Sequence, residues 1–125
     1  MNRKTYRLTF TAETHLKKAV RDTKERWGLS QARKYSAGLQ AGFQYIADNY
    51  TSFNSPHRDD LAEGTGFLIH LVEHRYVAFQ PYDDDTIIVV GIFHESMDIP
   101  NQLKEIQRMA KHEIAVMKRD IGTGI

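Results

Sequence analysis

Six histidines, three consecutive aspartates and one tryptophan are the side chains of this 125-residue sequence whose types suit more than packing. Imidazole is the commonest metal ligand and the usual acid or base near neutral pH, so spacing decides what these histidines can do. His112-Glu113-Ile114-Ala115-Val116 begins like the helical zinc-protease motif, but Val116 stands where the second imidazole is needed one turn on. His70 and His74 are four apart in a segment that reads as strand and turn, a spacing that joins two rings on a helix but not there. No metal site is expected. His94 closes an apolar strand beside Glu95, where it suits proton transfer or, as the commoner case, a structural hydrogen bond. Asp83-Asp84-Asp85 falls in a turn and reads as solvated carboxylates. Gly64-Thr65-Gly66 is too short for a dinucleotide fingerprint and precedes a strand instead of opening a helix. There is no Gly-x-Ser-x-Gly elbow, and the absence of cysteine excludes disulfides, thiolate metal sites and a cysteine nucleophile. No catalytic residue and no cofactor follow from these patterns. Trp27, at a predicted helix end, either packs in the core or anchors a partner.

The elements that must position these residues are those of one soluble domain, since 41% of the chain is hydrophobic and 26% charged. The longest apolar run, Ile87 to Phe93, falls far short of the roughly 20 residues of a spanning helix. The basic N-terminus lacks the apolar centre of a secretory signal, so a cytoplasmic protein with no membrane partner is expected. The net charge of +1 hides a sorting of charge along the chain. Residues 1–50 hold ten Lys and Arg against four Asp and Glu, residues 51–100 two against nine, and residues 101–125 five against three. A basic first half suits an acidic partner or nucleic acid, or neutralises the acidic half within the fold.

Tyr6 to Phe10 alternates apolar and polar residues as a half-buried strand does. Thr11 then offers a capping hydroxyl for a helix reaching Trp27, with Leu16, Val20, Thr23 and Trp27 on one stripe and Lys17, Lys18, Arg21, Lys24 and Arg26 elsewhere. Gly28 suits the exit from that helix, and Ser30 suits the cap of a second ending near Asn49. This second helix shows Ala32, Tyr35, Leu39, Phe43, Ile46 and Tyr50 on one face, while Gly38 and Gly42 permit close approach of another backbone. After an irregular stretch from Thr51 to Gly66, strands are predicted at Phe67–Val72, Tyr76–Gln80 and Thr86–His94, joined as an antiparallel meander. The last is apolar on both faces and should lie centrally under two-sided cover. A third helix follows Pro100, with Leu103, Ile106, Ala110, Ile114 and Met117 on one stripe that must pack on the sheet or form a dimer seam.

The order strand, helix, helix, meander is joined by specific stretches: Tyr6-Arg7-Leu8-Thr9 with Ala12-Glu13, Trp27-Gly28-Leu29-Ser30-Gln31-Ala32, Tyr76-Val77-Ala78-Phe79, and Ile92-Phe93-His94-Glu95-Ser96-Met97-Asp98. Together they resemble the RelE/ParE toxin superfamily of type II toxin–antitoxin systems over residues 5 to 98, and the Trp-Gly turn and closing Ile-x-His-x-x-Met-Asp look closest to ParE-like toxins. The family's arginine early in the second strand is missing from Gly66-Phe67-Leu68-Ile69, and the third helix extends past the family's usual end. The resemblance implies an α+β fold with one four-stranded sheet, residues 1–98 as the toxin domain and residues 99–125 as a helical extension of it. It implies a toxin that inhibits DNA gyrase by binding, without catalysis, and is neutralised by a cognate antitoxin, DNA being met only through the antitoxin complex. A ribosome-dependent mRNA endonuclease is the alternative, and an inactive repressor partner a third. RNA cleavage needs a base, an acid and cations around one phosphate, whereas Phe67 to Asp98 holds one arginine and no lysine. The target surface is expected at Arg58, His74, Arg75, Tyr82 and His94. The antitoxin is expected on Lys17, Lys18, Arg21, Lys24 and Trp27.

Overall fold

The computed structural model describes residues 4–52, 64–94 and 97–123. Its elements are β1 (Thr5–Leu8), α1 (Phe10–Trp27), α2 (Leu29–Asn49), a 3-10 turn (Tyr50–Ser52), β2 (Leu68–Val72), β3 (Arg75–Pro81), β4 (Thr86–His94) and α3 (Ile99–Thr123). The strands form one sheet in the order β1-β4-β3-β2, with β1 parallel to β4 and the rest antiparallel. The fold is α+β, with the doubly apolar β4 inside the sheet, as its sequence demands.

The sheet is covered on both faces. On one, the α1–α2 hairpin supplies Ala12, Leu39, Phe43, Ile46 and Ala47 against Val72, Val77, Phe79, Ile87, Val89 and Ile92. On the other, α3 lays Ile99, Leu103, Ile106, Ala110 and Ile114 against Phe67, Ile69, Tyr76, Ala78, Ile88, Val90 and Phe93. The third helix therefore packs back on its own sheet. The side chain of Met117, placed on the same stripe by spacing, lies outside the described residues.

A bulge in β4 assigns its residues to these two faces. Ala78 pairs with Gly91 but Phe79 pairs with Val89, so Val90 is an extra residue. Beyond it the alternation shifts by one: Ile92 joins the hairpin-side core and Phe93 the α3-side core. Gly91 is required at this bend because a Cβ there would lie 2.5 Å from Phe93 Cζ.

Several boundaries differ from the sequence expectations for local reasons. The first strand stops at Leu8, and Thr9 caps α1 through its hydroxyl, which accepts from Ala12 N at 3.1 Å. Thr11 makes a different contact, described below. Gly28 leaves α1 at a positive φ of 94° and itself caps α2, which starts at Leu29 without a side-chain cap, so Ser30 is already helical. The buried residues of α1 are Ala12, which joins the hairpin-side core, and Ala19, while Leu16 packs half-buried against that core and Val20 is half-buried. Gly38 and Gly42 of α2 receive side chains, not a backbone: a Cβ at Gly42 would lie 2.1 Å from Val72 Cγ1, and one at Gly38 2.6 Å from Glu73 Oε1.

Because β1 pairs with β4 only from Thr86 to Val89, the remaining β4 edge needs other partners. His15 supplies one, its Nδ1 accepting from Ile92 N at 3.1 Å while its ring meets Phe93 edge-on at 5.2 Å. Beside it Glu113 of α3 accepts from Thr11 N at 3.2 Å and Thr11 Oγ1 at 2.8 Å. The second carboxylate oxygen of Glu113 is buried without a partner.

Candidate functional site

Two concave surfaces flank the last two turns of α1. The first is an open cleft of about 540 Å³ lined by Thr23 and Trp27 of α1, Gln31 and Tyr35 of α2, Glu73 and His74 of the β2–β3 turn, Arg75 of β3 and His94 of β4. It is assembled from local geometry. Val72 pairs with Arg75, leaving Glu73 and His74 as a two-residue turn with φ of 49° and 63°, the positive values that tight hairpins require at both central positions. Neither residue is a glycine, so the turn carries backbone strain. The Glu73 carboxylate rests over Gly38, which seats the turn on α2. Register then sets Arg75 opposite His94, and Arg75 Nε donates to Tyr35 Oη at 2.8 Å.

Trp27 closes the cleft at 69% exposure, so it belongs to the surface and not to the core. The cleft continues past it over Asp22, Glu25 and Arg26. There Lys18 donates to Asp22 at 2.9 Å, and this bond chiefly holds the Asp22 carboxyl below its usual range.

The second surface is a groove of about 500 Å³ between α1 and α2. Leu16, Val20, Leu29 and Ala32 supply apolar lining, while Lys17, Arg21, Lys24 and Arg33 contribute four cations and no acidic residue takes part. Thus the two halves of the helical hairpin diverge into an apolar trough with a basic rim.

The structure divides the residues selected from sequence. His74, Arg75 and His94 converge in the cleft, whereas Tyr82 is not among its lining residues and packs against the α3-side core. Arg58 and Glu95 lie outside the described residues. Of the basic set, Lys17, Arg21 and Lys24 line the groove, Lys18 is engaged with Asp22, and Trp27 lines the cleft instead. Sequence reasoning missed Gln31, Tyr35 and Arg33 as surface-forming residues. Spacing sets Tyr35 on the apolar face of α2, and the signal for its surface role is its hydroxyl, since a half-buried phenol requires a polar partner.

Among the described residues no group of three or more His, Asp or Glu is placed to hold a metal ion. Asp83 Oδ1 accepts from Asp85 N at 2.8 Å, a local turn contact. No described helix is long and apolar enough to cross a membrane.

Comparison with known proteins places this geometry. The family model for the ParE toxin of type II toxin–antitoxin systems, parDE, matches residues 6–99. Toxin ParE of Escherichia coli is 32% identical over 100 residues, covering 80% of this chain and 93% of that protein. A chain of the solved chromosomal ParDE TA system from P. aeruginosa has the same fold, with a TM-score of 0.60 at 13% identity over 73% of this chain and 95% of that one. Helix α3 lies almost wholly beyond the family match.

Proposed function

Because the chain belongs to the ParE toxin family of type II toxin–antitoxin systems, we propose that it arrests growth by binding DNA gyrase in the cytoplasm and that a cognate antitoxin neutralises it. In this reading it performs no chemistry on its target. The observation that carries the reading is the composition of the cleft. Trp27, Tyr35 and Arg75 are the three residue types most enriched at the energetic centres of protein interfaces, and they line one concave surface with His74 and His94. The neighbouring carboxylates of Asp22, Glu25 and Glu73 make the cleft mixed in charge, which suits a protein surface and opposes a polyanion.

One observation favours a second reading. Two imidazoles and a guanidinium line a single cleft, which is the material of acid–base cleavage of RNA. The three carboxylates around them weigh against it.

The antitoxin docks through an acidic amphipathic helix in the α1–α2 groove, its apolar face on Leu16 and Val20 and its carboxylates on Lys17, Arg21, Lys24 and Arg33. DNA is reached only through that complex. Residues 1–98 carry both surfaces, and residues 99–125 are a helical extension of the same domain. The decisive experiment is plasmid supercoiling by purified gyrase, titrated with the toxin and then with toxin plus the product of the adjacent gene. Inhibition relieved by that product is expected. Undiminished supercoiling at excess folded toxin overturns the gyrase reading, and ribosome-dependent mRNA cleavage becomes the assay to run.

A further inference from the structure

Arg75 is half-buried at the start of β3, and the strained Glu73-His74 turn fixes where that strand begins. A guanidinium has five donors in one plane and can meet a two-oxygen acceptor along either of two edges: side-on, through Nε and one terminal nitrogen, or end-on, through both terminal nitrogens. Here Nε is already given to Tyr35 Oη at 2.8 Å. The end-on edge is what remains for a partner. No described carboxylate forms an ion pair with Arg75: Asp22 is bonded to Lys18, and that bond, with a smaller part from the Arg75 charge, lowers its carboxyl pKa.

Its surroundings select the acceptor. A phosphodiester also presents two oxygens, but Asp22, Glu25 and Glu73 line the cleft and its continuation and repel a chain of phosphates. A single carboxylate brings one charge, which Arg75 meets in planar register. Trp27 lines the same cleft at 69% exposure, so its indole offers an apolar platform for the side chain that follows or precedes the acid.

We infer that Tyr35 is a positioning residue that sets Arg75 end-on, and that the group read in this cleft is an aspartate or glutamate of the protein target flanked by an apolar side chain that lies on Trp27. The inference rests on the reading of the cleft as the target-binding surface. It assigns the surface a chemical specificity that the family relationship does not supply.

Trp27 is the sole tryptophan of the chain, so its fluorescence reports occupancy of the cleft. The test has two arms. In the first, gyrase inhibition is titrated with the full-length toxin and with Tyr35→Phe, Arg75→Lys and Arg75→Gln, antitoxin binding serving as the control for folding. Both Arg75 variants should weaken inhibition by about tenfold or more, because lysine cannot form the bidentate pair. Tyr35→Phe should weaken it by about threefold to tenfold, and should add nothing to Arg75→Lys, because the phenol acts through the guanidinium. In the second arm, Trp27 emission of the wild type and of Arg75→Gln is followed with the dipeptide acetyl-Phe-Asp-amide, its Asn counterpart and inorganic phosphate at constant ionic strength. A response to the Asp peptide alone is expected.

Inhibition by Arg75→Gln equal to wild type, or an equal response to phosphate or to the Asn peptide, overturns the inference while the gyrase reading stands. A wild-type toxin that leaves gyrase untouched, yet responds to the Asp peptide in an Arg75-dependent way, overturns the gyrase reading and keeps the carboxylate site. Silence in both arms overturns both.

Discussion

The two faces of the sheet are covered in different ways. The hairpin face is closed by two helices that follow β1 directly, and every element on it falls within the segment shared with ParE toxins. The other face is closed by one helix, added after β4 and beyond that segment. The hairpin also carries both concave surfaces, while α3 contributes to neither. In the reading proposed above, recognition and cover fall on opposite sides: the hairpin seats the β2–β3 turn through Gly38 and Gly42, and α3 contributes an apolar stripe and one polar clamp, Glu113 on Thr11.

The largest effects should come from cutting into either core. Leu39→Ala and Leu103→Ala each remove a fully buried side chain and should each cost about 3 kcal/mol. The difference should appear in hydrogen exchange: Leu103→Ala speeds exchange mainly in α3, and Leu39→Ala throughout the domain. Equal global loss in both variants would break the contrast between a shared body and an added cover.

Gly42→Ala tests the seat of the hairpin turn. Its new Cβ collides with Val72, a branched side chain with little freedom to move, and overpacking of this kind costs about 1–3 kcal/mol. Because Val72 pairs with Arg75, the same variant should weaken gyrase inhibition beyond what its stability loss explains. Measuring inhibition at full folding separates the two effects.

Thr11→Val removes the hydroxyl donor to Glu113 and leaves a buried carboxylate short of a partner, at about 1–2 kcal/mol. Loss confined to α3 protection supports its role as a clamp, and loss of gyrase inhibition argues against the division of labour between the faces.

His15 ties the clamp to pH. Burial lowers its pKa below 6.5, and Glu113 raises it by a smaller amount. The folded protein therefore favours the neutral ring, which accepts from Ile92 N, while the unfolded chain takes up a proton more readily. The stabilising contribution is complete above pH 6.5 and is lost as pH falls from there through the lowered folded value. Denaturant midpoints of wild type and His15→Gln should differ most above pH 6.5 and converge below it. A constant difference across that range would remove His15 from the account. The smallest effect belongs to the surface: Lys18→Ala breaks an exposed pair with Asp22 and should leave the midpoint unchanged.

Element order, the hairpin, the central place of β4 and the amphipathic third helix were legible in the sequence, because periodicity and turn chemistry act between residues close in the chain. Local features such as the Gly28 exit and the apolar run from Ile87 follow the same rule. The candidate site was legible only in part. His74, Arg75 and His94 are on the target surface expected from sequence, but Tyr35, read as part of an apolar helix face, and Gln31 are not, and Tyr82 is grouped with them although it packs against the α3-side core. Side chains that meet in a cleft are joined by register and helix placement, which no local pattern records.

The sequence by itself therefore determined which segments are helix or strand and which faces are apolar. Only the tertiary structure decided that Arg75 is held by Tyr35 across 40 positions and that Glu113 is held by Thr11 across 102. It also decided that the Val90 bulge turns Phe93 toward α3 and that Trp27 faces outward. The physical reason is range: hydrophobic periodicity constrains each element's own axis, whereas convergence of polar groups depends on how those axes pack.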